Sequence, residues 1–305
     1  MKKPAIVSAI CFSRMNKSFT LIEILVVIVI IGIISAFIIV SMSGVSEKAN
    51  IAKSQAFASS LRNSLLMNLV SEWKIDDASG TSIKDSWGTN AGTWNGAGGG
   101  GYTSPSWRTA SECVSRGCLA FDGTDDYINI PNAPSLNFTN AITMSLWFKT
   151  DINQSSRGIL TKGYPGINDY DAMLYVTGGM LQFYIKDSDG NSDNVSYNVS
   201  YHNNQWKYLV GFFNGDWLYL YLNGIVVASK DSLRTNIRSS SNPTTIGYGW
   251  SFYFNGLIDE SHMYNQAIST SQVQQNYYIG LNNLLKNESI SQEEYLGNVL
   301  DLATR

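Results

Sequence analysis

Glu23 is a lone carboxylate at the threshold of a membrane-length apolar run, and its position makes a chemical demand. From Ile24 to Val40 no residue carries a charge. An ionisable group at the edge of hydrocarbon is costly unless something pairs with it. A cut between Ser18 and Phe19, in the stretch Lys17-Ser18-Phe19-Thr20-Leu21-Ile22-Glu23, creates an α-amino group four residues before that carboxylate. No other segment offers comparable chemistry. His202 and His262 are the only histidines, are far apart in sequence and lack metal-ligand spacing. No nucleophile stands in a recognisable arrangement with a base. Gly98-Gly99-Gly100-Gly101 is not followed by Lys-Ser/Thr, so it is a flexible insertion and not a phosphate loop.

The elements that position Glu23 are helical. The apolar run is longer than the roughly 7–15 residues of a signal-peptide core. It continues in helical phase through Val45, Ala49, Ala52, Ala56, Leu61, Leu65 and Leu69. A discarded signal, for which Ser41-Met42-Ser43 imitates a cleavage site, has no use for that amphipathic continuation. A plain single-span anchor accounts for the length and for the cationic flank that keeps residues 1–17 cytoplasmic, but not for Glu23. Residues 14–70 resemble the type IV prepilins, filament-forming membrane proteins whose mature chain begins Phe-Thr-Leu-Ile-Glu. The resemblance implies that a prepilin peptidase cuts after Ser18 and methylates the amine of Phe19. It also implies that Glu23 pairs with the amine of a neighbouring pilin subunit, so that assembly satisfies the charge. The residue before the cut is usually Gly in that family; Ser18 departs from it and implies slower cleavage.

The formal charge of the chain is −3. Lys2, Lys3, Arg14 and Lys17 leave with an 18-residue leader, so the mature side chains sum to −7. Nothing resembles the clustered Lys/Arg of a nucleic-acid footprint. Cys11 also leaves with the leader. Two readings of the remaining Cys113 and Cys118 stand open: a short-loop disulfide formed in an oxidising exterior, or two free thiols.

From Glu72 onward the periodicity becomes alternating. Ile142, Met144, Leu146 and Phe148 fall on one face of a half-buried strand, Met180–Ile185 is another, and 206–229 reads as a three-stranded meander turning at Asn214-Gly215 and Asn223-Gly224. Ten to twelve such strands predict a mainly β, two-sheet antiparallel jelly-roll sandwich. Four segments resemble laminin-G-like, concanavalin A-like jelly rolls: Glu72–Thr81, Lys84–Gly88, Leu119–Tyr127 and Asn255–Glu260. This likeness covers 71–268 and is specific for the fold but not for function, because the fold serves lectins, glycan-binding modules, adhesion domains and glycosidases alike. The Glu-x-Asp-x-x-Glu strand motif of glucanases is missing from the sequence, and Asp259 and Glu260 are expected on opposite faces of a strand.

The resemblance places Asp76, Asp85 and Asp259 at turns where a structural Ca²⁺ ion would join the first and last strands; the alternative is that they cap those turns. Tyr164, Tyr170, Trp250, Tyr253 and Trp94 are the expected loop aromatics for stacking on a glycan. Ser269-Thr270-Ser271-Gln272 and Ser291-Gln292-Glu293-Glu294 have capping-box form, so 269–305 is expected to make two or three short helices packed on the chain's own stem or sandwich. The expected organisation is a leader (1–18), a transmembrane and stem helix (19–70), a head (71–268) and a helical tail (269–305). The expected role is a non-catalytic pilin-like subunit of a cell-surface pilus, with its head outside the cytoplasm and binding glycan or protein. The alternatives are a pseudopilin of a secretion or DNA-uptake system, and a membrane-anchored lectin that does not polymerise.

Overall fold

The structure, a computed structural model, describes residues 68–96, 106–163 and 169–304. Ser18, Phe19, Glu23, the apolar run, Tyr164 and the glycine run lie outside the described residues. The strands are β1 (Leu69–Trp73), β2 (Ser82–Ile83), β3 (Gly92–Asn95), β4 (Ser106–Thr109), β5 (Gly117–Asp122), β6 (Tyr127–Ile130), β7 (Ile142–Lys149), β8 (Arg157–Gly163) and β9 (Tyr170–Thr177). They continue as β10 (Met180–Lys186), β11 (Ser192–Asn198), β12 (Lys207–Phe213), β13 (Trp217–Leu222), β14 (Ile225–Asp231), β15 (Thr244–Ile246), β16 (Tyr248–Gly249), β17 (Phe252–Tyr253) and β18 (Asn255–Tyr264). Two helices follow, α1 (Thr270–Lys286) and α2 (Gln292–Thr304).

The strands form a mainly β antiparallel sandwich. The first sheet runs β14-β13-β12-β7-β18-β5-β4, with β1 also paired to β18; the second runs β11-β10-β9-β8-β15-β6-β3-β2. The meander turns where the sequence predicts, with Asn223 and Gly224 both at positive φ (51° and 80°), the backbone a two-residue hairpin demands. Between the sheets lies a core that includes Trp73, Leu119, Ile142, Met144, Leu146, Phe148, Leu174, Phe183 and Phe213.

Two boundaries differ from expectation. Leu69, the last member of the helical stripe, belongs instead to β1 and pairs with Tyr264. Alternation decides this: Trp73 and Ser71 are buried in the sheet while Glu72 faces the other way. The second difference is β7, which is buried on both faces and not on one. Its other face carries Thr143, Ser145 and Trp147, and it lies under α1. Trp147, Tyr208, Val210, Phe212, Tyr221 and Tyr264 pack there with Val273, Tyr277, Leu281 and Leu284 in a second core. Tyr277 stacks on Trp147 at 5.5 Å and 16°. Gly280 permits the approach, because a Cβ there would stand 2.2 Å from the Trp147 ring. The tail is thus one long helix and a second shorter one. α1 starts from the capping box formed by Ser269 and Gln272 and docks on the outer face of the sandwich.

Candidate functional site

The outer face of the second sheet gathers aromatic side chains. On β10, Leu181, Phe183 and Ile185 point into the core, so Gln182, Tyr184 and Lys186 point outward. Tyr170, Met173 and Tyr175 of β9 join them in a separate cluster with Tyr184 and Trp250. Trp250 lies 5.7 Å from Tyr170, 5.7 Å from Tyr175 and 6.1 Å from Tyr184, ring centre to ring centre. It reaches them from the β16–β17 hairpin, which rests on β8 through two glycines: a Cβ at Gly158 would meet Gly249 Cα at 2.6 Å. The hairpin turn is strained, with Trp250 at φ 58° and Ser251 at φ 67°. Bulky residues adopt such backbone only where surrounding packing holds them, and functional sites concentrate this kind of strain.

On the hairpin strands, Tyr253 stacks on Tyr248 at 4.3 Å and 10°, and Tyr127 lies 5.2 Å from Tyr248. Phe252 is 45% exposed and carries the Arg157 guanidinium 4.9 Å above its ring. The phenols keep their protons. Burial pushes the Tyr170 and Tyr184 hydroxyls up, and they bond to Ser192 Oγ (3.0 Å) and Gln182 Oε1 (3.3 Å). Aromatic faces rimmed by such polar groups suit a ligand with one apolar and one hydroxylated side.

The expected loop aromatics therefore separate. Trp250 is a half-buried member of this platform, whereas Tyr253, also half-buried, stacks with Tyr248 on the strands of the same hairpin, beside Tyr127. Tyr170 is in a strand and 2% exposed, so it supports Trp250 from below and does not present a loop face. Trp94 is a correction of the same kind: it sits on β3 in the inter-sheet core. Tyr175, Tyr184, Phe252 and Arg157 went unmarked in the sequence. Alternation along Met180–Ile185 puts Tyr184 opposite the core face, which is the one signal that could have found it.

The acids expected at the turns are occupied by backbone. Asp85 Oδ1 accepts from the N–H groups of Glu72, Trp87 and Gly88, and Oδ2 from Asn90 N. Cys113 and Cys118 are joined in a disulfide. The loop it closes is held by the other two acids: Val114 N and Ser115 N donate to Asp259 Oδ2 (2.9 and 3.0 Å), and Arg116 N and Gly117 N to Asp76 Oδ1 (both 2.9 Å). The structure does not bring Asp76, Asp85 and Asp259 to one point. Asp259 and Glu260 also depart from simple alternation. The register of β18 slips between Asp259 and His262, and Glu260 takes φ 46°. A bulge of this kind re-aims a side chain, and here it turns Glu260 to the outer face beside His262.

Comparisons with known proteins agree with this architecture. Residues 122–274 match the model of the concanavalin A-like lectin/glucanases superfamily, and residues 13–39 match the prokaryotic N-terminal methylation motif. No curated protein sequence matches the chain. Among solved structures, the binding domain of Paraclostridial mosquitocidal protein 1 superposes with TM-score 0.55 and 17% identity, over 72% of this chain and 53% of that one. The binding domain of botulinum neurotoxin serotype G gives TM-score 0.55 and 14% identity, over 70% and 51%. The chain thus spans about half the length of those domains. Domain 4 of AbnA, an extracellular GH43 arabinanase of Geobacillus stearothermophilus solved with arabinotriose, gives TM-score 0.50 and 19% identity, over 68% and 97%. At these identities the likeness is one of fold.

Proposed function

This chain belongs to the concanavalin A-like lectin/glucanases superfamily and carries a prepilin methylation motif, and from these two facts we propose that it is a type IV pilin-like filament subunit whose head binds glycan at the cell surface. The motif supports processing by a prepilin peptidase at Ser18–Phe19 and assembly with other pilins through Glu23. It also supports a single-pass membrane origin with the head outside the cytoplasm. The role is one of binding, not turnover. Fold neighbours that are toxin binding domains, and a domain holding arabinotriose, support a binding use of such a sandwich.

The observation that carries the binding half is the strained Trp250-Ser251 turn, which holds an indole on a bed of tyrosines at a surface with exposed neighbours. The test is a broad glycan array probed with the full chain in detergent, with and without calcium, because a Ca²⁺ ion at Asp76, Asp85 or Asp259 remains part of the proposal. Binding to a defined glycan class supports the reading; no binding in either condition ends it. For the assembly half, Glu23→Leu is expected to abolish incorporation into filaments while leaving membrane insertion intact. Unchanged incorporation contradicts it.

A further inference from the structure

We propose that Glu72, Glu260 and His262 form a site for a divalent transition-metal ion, of which zinc is the best fit, joining the first and last strands of the head. The three residues converge from β1 and β18. Glu72 stands directly opposite His262 in the ladder, and the bulge at Glu260 brings the third group to the same face. Glu72 Oε1 lies 3.3 Å and Glu260 Oε2 3.9 Å from His262 Nε2. Zinc takes nitrogen and carboxylate oxygen at about 2.0–2.2 Å in a tetrahedral arrangement, which puts neighbouring ligand atoms about 3.3 Å apart. The Glu72 distance already has that value, and Glu260 needs a shift of about half an ångström to reach it. An imidazole with two carboxylates is a zinc donor set that leaves a fourth position for water. The side chains keep 21%, 16% and 12% exposure (Glu72, Glu260 and His262), so an ion can enter from solvent.

A second observation is independent of these three carboxylate and imidazole contacts. Ser145 stands directly opposite His262 in the β7–β18 ladder; it is fully buried, and its hydroxyl lies against that of Tyr208. The Nδ1 of His262 is also buried and without a partner. A metal-bound histidine donates from its second nitrogen to an oxygen acceptor, and the proposal gives that role to Ser145, directly across the ladder. A buried unsatisfied polar group beside a cluster of potential ligands calls for such an occupant.

The test uses the full chain in detergent, stripped of metal with a chelator and dialysed, then titrated with Zn²⁺ and separately with Co²⁺ and Ca²⁺. One saturable Zn²⁺ site per chain is expected, with visible ligand-field absorption for Co²⁺ and a higher unfolding temperature with Zn²⁺. His262→Gln is expected to weaken Zn²⁺ binding about 100-fold, and Ser145→Ala about 10-fold with the fold intact. Glu72→Gln, at a partly exposed carboxylate, is a second ligand variant should His262→Gln not fold. The proposal is overturned if the wild type shows no saturable Zn²⁺ binding, if Ca²⁺ alone binds, or if His262→Gln and Glu72→Gln bind Zn²⁺ as the wild type does.

Discussion

Asp76 and Asp259 grip opposite halves of one disulfide-closed loop, each accepting two consecutive backbone N–H groups between Val114 and Gly117. The loop in turn meets the tail: Asn287 Nδ2 donates to Ser115 O at 2.6 Å and Ser289 Oγ to Ser111 O at 2.9 Å. Two acids far apart in sequence therefore fix a loop that seats the junction of α1 and α2. Asp259→Ala leaves two N–H groups without an acceptor, one of them on fully buried Val114, and is expected to cost about 3 kcal/mol. Chemical denaturation of the variant beside the wild type measures it; a loss below about 1 kcal/mol contradicts the anchoring role.

Opening the disulfide removes a short covalent loop. By chain entropy, Cys113→Ser with Cys118→Ser is expected to lower stability by about 2 kcal/mol. Both cysteines are fully buried, so reduction of the native protein should be slow and should speed up only under unfolding conditions. Mass analysis of thiol alkylation over time reads this directly.

The seat of α1 is intolerant of volume. Gly280→Ala drives a methyl into the Trp147 indole and is expected to destabilise by about 1–3 kcal/mol. Tyr277→Ala, which empties the other half of the stack, is expected to cost about 3–5 kcal/mol. Thermal unfolding of both variants, with hydrogen exchange along 270–286, shows whether the helix or the whole sandwich loosens.

Acidity acts through Asp126. Burial pushes its carboxyl up to about 6 from an ordinary value of 3.8. A raised carboxyl stabilises the fold when protonated, so its contribution is present below pH 3.8 and is lost as pH climbs to about 6. Asp126→Asn keeps the acceptor for Asp122 N and removes the titration. The unfolding temperature of the wild type relative to this variant should therefore fall as pH rises through that window. A difference that is flat with pH contradicts the assignment.

Ser251 is an exposed residue at φ 67°, where glycine carries no penalty. Ser251→Gly is expected to stabilise the head by roughly 0.5–1 kcal/mol while loosening the hairpin that carries Trp250. Equilibrium unfolding checks the first effect and tryptophan fluorescence anisotropy the second.

Much of this was legible from patterns of period two and from turn chemistry. The meander 206–229, the inward face of β7 and the cap at Ser269 follow from alternation, Asn-Gly pairs and a capping box. What escaped was tertiary. Leu69 satisfies a helical stripe and a strand equally, and only the ladder with Tyr264 decides between them. Thr143, Ser145 and Trp147 read as a solvent face because the helix that covers them lies more than a hundred residues later. Glu260 faces His262 through a bulge that alternation cannot express. Tyr170 and Trp94 read as loop aromatics because Gly, Asn and Asp surround them, yet strand pairing buries both. The aromatic platform itself spans β9, β10 and the β16–β17 hairpin, so no single stretch of sequence contains it.

The most direct measurement is glycan binding by wild-type and Trp250→Ala full chains compared side by side, with circular dichroism and unfolding temperature recorded on both. The platform account predicts that the wild type binds a defined glycan class and that Trp250→Ala loses at least about 10-fold in affinity, roughly 1.4 kcal/mol, with its fold unchanged. Equal binding by the two chains, or no binding by the wild type, contradicts it.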